Sequence, residues 1–167
     1  MKLILLNGPP GSGKSTLARR YADAHPPALA LDVDRVRAMI GGRRENAGEA
    51  GLLARDIAVA AARTHLSAGH DVVVPQLLAR PGFAERLEAL AAETGASFHE
   101  IALLPGLAET RRRFAGRCSS EIETAEPLTE EDLAAAYERV AAYAATRPRA
   151  SILRDEDAYP ALLASLT

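Results

Sequence analysis

The chain has 167 residues, 48% of them hydrophobic and 25% charged, with a formal net charge of −2. That suits one domain with a single sizeable core, and it excludes the strongly basic field of a bulk nucleic-acid binder. The lone cysteine, Cys118, rules out an internal disulfide, and no run approaches the roughly 18 apolar residues that span a bilayer, so no membrane partner is expected.

In chain order, residues 2–7 read as a fully buried strand, because the run is continuously apolar and ends in turn residues. A helix over 14–24 follows and is stopped by His25-Pro26-Pro27. Residues 28–31 form a second short strand with Asp32 and Asp34 at its carboxyl end, and a short helix runs on to about Ile40 before Gly41-Gly42. A long helix over 47–68 ends at Gly69, and the β-branched strand 71–74 is closed by Pro75. Helix 81–94, capped by Gly95, leads to strand 97–104 and then to helix 106–117 and a polar loop over 118–128. Thr129-Glu130-Glu131-Asp132 opens a helix in N-cap style that runs to about Ala145. A short strand over 151–153 and a helix over 157–165 finish the chain. Strands alternating with helices imply parallel pairing through right-handed crossovers. The expected architecture is α/β: a three-layer α/β/α domain over residues 1–167, with a five-stranded parallel sheet and a lid region at about 111–128. Ligands of such sheets bind at the carboxyl ends of the strands.

The most specific stretch is Gly8-Pro9-Pro10-Gly11-Ser12-Gly13-Lys14-Ser15, which fits G-x-x-x-x-G-K-[ST] without a mismatch. Glycines let consecutive backbone N–H groups turn inward around a β-phosphate, and the helix starting at Lys14 adds its positive end. Lys14 is expected to reach the β- and γ-phosphates of ATP, and the Ser15 hydroxyl to ligate Mg²⁺, with residues through Thr16 lining the nucleotide. The plain alternative is a glycine-rich strand–helix turn without a ligand.

The stretch "LDVDRVR", residues 31–37, places two carboxylates at the mouth of the second strand. A phosphoryl acceptor needs a carboxylate to orient its hydroxyl and take its proton, and a cation to hold it. Asp34 and Arg37, three apart on one face, supply that pair; the alternative makes Asp34 an N-cap and Arg37 a solvated partner.

A phosphate loop followed about twenty residues later by D-x-x-R resembles the small P-loop kinases. Those similar in pattern are the polynucleotide 5′-hydroxyl kinase domain, adenylylsulfate kinase, and zeta-toxin-like and chloramphenicol-phosphotransferase-like enzymes. The resemblance implies that Asp34 is the general base and that Arg37 binds the acceptor, with Asp32 a second carboxylate reaching Mg²⁺ through water. It leaves open which aspartate is the base. Where such kinases often end the third strand in Asp, this chain has Gln76, which can hydrogen-bond an acceptor but cannot neutralise a metal. Arg80 ranks low as a cleft residue.

In "RRRFAGR", residues 111–117, Arg113 and Arg117 lie four apart on one helical face, placed to meet charge on a transferring phosphoryl group. The kinases named above carry such a pair after the fourth strand. Arg111 and Arg112 are expected to be solvated, and Arg154, beyond the last strand, falls where those kinases contact adenine. The first expectation is therefore an ATP- and Mg²⁺-dependent cytoplasmic kinase acting on a hydroxyl of a small molecule, a metabolite or an antibiotic. The second is a kinase of a nucleic-acid 5′-hydroxyl or a nucleotide, disfavoured by an aromatic content of 4%. The third is a nucleotide-binding regulatory ATPase without phosphotransfer, which would need no acceptor pair.

Overall fold

The structure, a computed structural model, describes residues 1–116, 128–155 and 157–167. Its strands are β1 (Lys2–Asn7), β2 (Leu29–Ala30), β3 (Val72–Gln76), β4 (Ser97–Leu103) and β5 (Ser151–Leu153). They form one five-stranded sheet in the order β2-β3-β1-β4-β5, every pairing parallel. The helices are α1 (Lys14–Ala24), α2 (Val33–Ala38), α3 (Ala47–Ser67), α4 (Gly82–Thr94), α5 (Leu107–Ala115), α6 (Glu130–Ala145) and α7 (Ala158–Ser165).

The side-chain period of a strand sorts β1 into two cores. Leu3 and Leu5 face α3 and α4, joining Ala54, Ala58, Val72, Val74 and Leu87. Ile4 and Leu6 face α1 and α7, joining Leu17, Tyr21 and Leu162. All four β1 side chains are fully buried, and each such leucine contributes roughly 1.5–3 kcal/mol of apolar transfer. On α3 the buried residues Ala50, Ala54, Ala58, Ala62 and Leu66 recur every fourth position, so small side chains let that long helix lie close to its neighbours. Val140 and Ala144 of α6 close over Ala102 and Leu104 beyond the β1–β4 seam.

Two ends differ from the sequence expectation. Strand β3 runs through Pro75, which is paired opposite Leu6. Carbonyls of Asp71 and Val73 face β2, where they accept from Leu29 and Leu31. By alternation the imide nitrogen of Pro75 faces that same side, past the end of the two-residue β2, so no ladder bond is lost. Asp71 lies ahead of β3 rather than in it: its carboxylate accepts from the Lys2 amide at 2.7 Å and the Tyr21 hydroxyl at 2.7 Å. The N-cap reading of Thr129 holds, with a full capping box to Asp132.

Connections leave β1 toward both edges, to β2 and β3 on one side and β4 and β5 on the other. The crevice of such a sheet lies at the carboxyl end of that central strand, where Asn7 and Gln76 stand side by side.

Candidate active site

At that end Asn7 is buried, and its side-chain oxygen accepts from the amides of Gly8 and Leu78, both at 2.8 Å. Its amide nitrogen donates to the Leu78 carbonyl at 3.0 Å, so one side chain staples the start of the glycine loop to the chain leaving β3. A Cβ on Gly8 would stand 2.8 Å from the Leu103 carbonyl. On Gly11, at φ +83°, it would stand 2.6 Å from the Thr110 carbonyl. These glycines are required by backbone from β4 and α5 packed against the loop, as well as by any ligand. Gly13, at φ +90°, turns the chain into α1, whose first turn holds no acidic residue to offset its positive end.

The loop fits a phosphate. Ser12 is buried in the turn, its amide donating to the Pro9 carbonyl at 3.2 Å, and its hydroxyl has no hydrogen-bond partner among the described residues. Lys14, rather than facing solvent, donates to the Pro9 carbonyl at 2.8 Å across the same turn. Pro9 is buried, Pro10 half-buried, and Thr16 exposed at the rim.

Ser15 joins this loop to the second strand end: its hydroxyl donates to Asp32 Oδ2 at 3.1 Å. Asp32 Oδ1 accepts from the Asp34 amide at 3.0 Å and the Arg35 amide at 3.4 Å, so Asp32 is the N-cap of α2. The alternative role considered for Asp34 therefore belongs to Asp32, and the Asp34 side chain keeps solvent access although protein packs around its carboxyl group. Enclosure by surrounding protein, and then the charge of Asp32, push the Asp34 carboxyl above its ordinary value against the pull of Lys14, Arg37 and Arg55. Ser15 and Asp32 are the donors present for a magnesium ion. Among the described residues no three His, Cys, Asp or Glu side chains cluster as a metal cage.

Arg37 is half-buried with its Nε enclosed and unpartnered. Gln76 is buried, and its side-chain oxygen likewise lacks a partner. The structure adds a residue that the sequence reading missed: Arg55, on α3, acts on Asp34 and lies with its guanidinium carbon 5.8 Å from the centre of the Phe83 ring. No motif marks Arg55, because it reaches the site only through the packing of α3 beside α2 and α4.

The base of the predicted lid is fixed. Thr110 is fully buried, its hydroxyl donating to the Pro105 carbonyl, and its own carbonyl is the atom facing Gly11. Arg113 lies over the loop, one of its terminal nitrogens 3.6 Å from where a Gly13 Cβ would be. Its Nε donates to Glu109 at 2.5 Å, a second residue without a sequence signal. Arg112, expected to be merely solvated, also holds Glu109, at 2.6 Å, although it stays exposed. Arg117 lies outside the described residues. Arg80 and Arg154 are exposed at their strand ends, and no polar contact of either side chain is seen among the described residues.

A glycine cradle at the end of a central parallel strand, with a helix opening at its lysine, defines the three-layer P-loop fold of the small P-loop kinases. Residues 3–148 match the AAA domain family, and the chain belongs to that family. No curated protein matches the sequence. Among solved structures, the Pnkp1/Rnl/Hen1 RNA repair complex superposes with a TM-score of 0.68 at 19% identity over 89% of this chain, which spans 46% of that one. A gluconokinase from Sinorhizobium meliloti superposes at 0.64, with 16% identity, covering 98% of this chain and 88% of its own. Adenylylsulfate (APS) kinase CysC from Mycobacterium tuberculosis, solved with AMPPNP and APS, superposes at 0.62 with 19% identity, covering 99% and 96%. No helix among the described residues is long and apolar enough to cross a membrane.

Proposed function

We propose that this protein is an ATP- and Mg²⁺-dependent kinase that moves a γ-phosphoryl group to a hydroxyl of a small molecule. The observation that carries the reading is the Ser15–Asp32 contact at 3.1 Å, which makes the phosphate loop and the acceptor carboxylates two walls of one site. Bound MgATP would supply the phosphoryl group and the counter-charge of the metal. Gly8, Pro9, Pro10, Gly11, Ser12 and Gly13 would cradle its phosphates with Lys14, Ser15 and Thr16, and Ser15 and Asp32 would hold the ion. Arg154 is kept as an adenine-side contact.

Asp34 is the general base in this reading. It is open to the cleft, it is not consumed as a helix cap, and its raised basicity suits taking a proton from an attacking hydroxyl. Arg37 and Gln76 hold the acceptor, the Gln76 oxygen receiving a donor it lacks within the protein. Arg113 meets the charge of the transferring group, and Arg117 joins it from the sequence reading. The two neighbours acting on small molecules agree with this substrate size, although such distant likeness carries the fold and not the substrate.

The test is ADP formation from MgATP across a panel of hydroxyl-bearing metabolites and antibiotics. Stimulation of turnover by one compound is expected, and Lys14→Ala should lower that turnover by about 10²-fold or more, as loss of a preorganised cation does. Lys14 is half-buried and lies outside the apolar core clusters, so the variant should stay folded. A protein that hydrolyses ATP at one rate whatever is added would instead be a regulatory ATPase.

A further inference from the structure

The half-buried arginines Arg37, Arg55, Arg113 and Arg147 are of two kinds. Arg113 holds Glu109, and Arg147 holds Glu100 and Glu88. Arg37 and Arg55 hold no carboxylate within salt-bridge distance among the described residues, and Arg37 also keeps an enclosed Nε–H without an acceptor. Taking a guanidinium partly out of water without an anion is costly, and a donor left unmade costs more. Both guanidiniums act on Asp34, together with Lys14 and against the charge of Asp32. Of the two carboxylates there, Asp32 is engaged by Ser15 and the amides of α2, and among the described residues neither carboxylate forms a salt bridge with Arg37 or Arg55.

Both cations stand on the acceptor side. Arg37 is on α2, one turn beyond Asp34, and Arg55 comes from α3 across to Phe83, the second residue of α4. The guanidinium carbon of Arg55 lies 5.8 Å from the centre of the buried Phe83 ring, within cation–π range, so Arg55 is held at the start of α4. Planar guanidinium forks match the paired oxygens of a carboxylate, phosphate or sulfate.

We propose that the phosphoryl acceptor carries an oxyanionic group besides its reacting hydroxyl, and that Arg37 and Arg55 bind that group between α2, α3 and the start of α4. The proposal rests on the kinase reading above and narrows its substrate class. Arg55 is then a specificity residue that no sequence motif marks, and a neutral acceptor would leave both guanidiniums unpaired.

The experiment titrates inorganic sulfate, at constant ionic strength, into protein saturated with MgAMPPNP, so that the γ-phosphate position is already filled. Saturable binding is expected in the wild type, weakened about tenfold or more in Arg55→Ala and in Arg37→Ala. Arg63→Ala, which removes the same charge from the outer surface of α3, should bind sulfate like the wild type. Turnover with paired acceptors, glycerol 3-phosphate against glycerol and gluconate against glucose, forms the second arm. The charged member of a pair should be preferred, and Arg55→Ala should raise its KM with little change in kcat. Arg55→Gln keeps a stem on Phe83 and is read in the same way where the alanine variant does not fold. Equal sulfate affinity in wild type and Arg55 variants, or preference for the neutral member of each pair, overturns the proposal and leaves the kinase reading standing. Failure of MgAMPPNP to bind overturns the kinase reading instead, and the sulfate comparison is then read on the protein alone.

Discussion

The phosphate loop closes its polar groups on protein, with Lys14 on Pro9, Ser15 on Asp32, and Arg113 above it on Glu109. On the proposed acceptor side, Arg37 Nε and Gln76 Oε1 are enclosed and unpartnered among the described residues, and Asp34 is exposed. Among the described residues of the loop, the Ser12 hydroxyl is the buried side-chain group without a partner, at the place a phosphate would fill in the proposed reading. One wall is thus a finished cradle, locked by backbone contacts at Gly8 and Gly11. The other, in the proposed reading, is a set of groups that a ligand would complete. A common donor needs the first kind of wall, since its shape never changes, and discrimination among acceptors needs the second. Orphaned donors and acceptors reject any molecule that fails to pair them.

The sharpest way to break this contrast is Asp34→Asn. Turnover should fall by about 10²–10⁴-fold, the range for losing a general base, while nucleotide affinity measured by titration stays near wild type. A variant that keeps its rate but loses nucleotide would move Asp34 to the donor wall. Arg113→Ala comes next: a cation meeting phosphoryl-transfer charge is worth up to about 10³-fold or more, and at least a tenfold loss of kcat is expected. Glu109→Gln, which removes that ion pair and leaves Arg113 in the chain, should lose less in the same assay. An equal loss from both would show that the position of the guanidinium, rather than its presence, carries the effect.

Gly11→Ala tests whether the loop is locked by protein. The new Cβ must enter the left-handed region at φ +83° and meet the Thr110 carbonyl at 2.6 Å. A cost of about 1–3 kcal/mol is expected from the backbone alone. At about 2–4 °C per kcal/mol for a chain of this length, the melting temperature should drop by several degrees even without nucleotide. An unchanged melt would mean that the loop is free to move away from α5.

The smallest effect concerns stability and pH. Folding raises the pKa of Asp34, so the folded protein favours its protonated form, and the ionised form at neutral pH costs stability. Stability linked to this group is full below the ordinary carboxylate value near 4 and is lost as pH rises through the higher folded value. Asp34→Asn should therefore melt above wild type at pH 7, with the difference vanishing on acidification. A wild type that gains on the variant as pH rises would reverse the sign and remove the argument for Asp34 as a tuned base.

Much of this site is legible in the chain because its parts are local. The phosphate-loop pattern needs one strand end, three glycines and one helix start, all within Asn7 to Thr16, and β1 does end at Asn7 and α1 begin at Lys14. The Asp32 and Asp34 pair is local as well, but which of them caps α2 depends on hydrogen bonds of a single turn that the spelling "LDVDRVR" allows either way. Pro75 misled for a related reason. Whether a proline ends a strand depends on what lies beside its missing N–H, and that is decided by the short length of β2, more than forty residues earlier.

The sequence by itself determined the alternation of strands and helices, the two-faced apolar pattern of β1, the phosphate cradle, and the acid–arginine spacing of α2. Each follows from periods and turn chemistry that act within a few residues. Only the tertiary structure decided that Thr110 and Leu103 press on the loop glycines, that Glu109 holds Arg113 over Gly13, and that Arg55 crosses from α3 to face Asp34. Those contacts join residues far apart in the chain, and their geometry is set by how helices on one sheet pack against each other. No local spacing encodes the distance between two helices that meet only because both must bury their apolar faces.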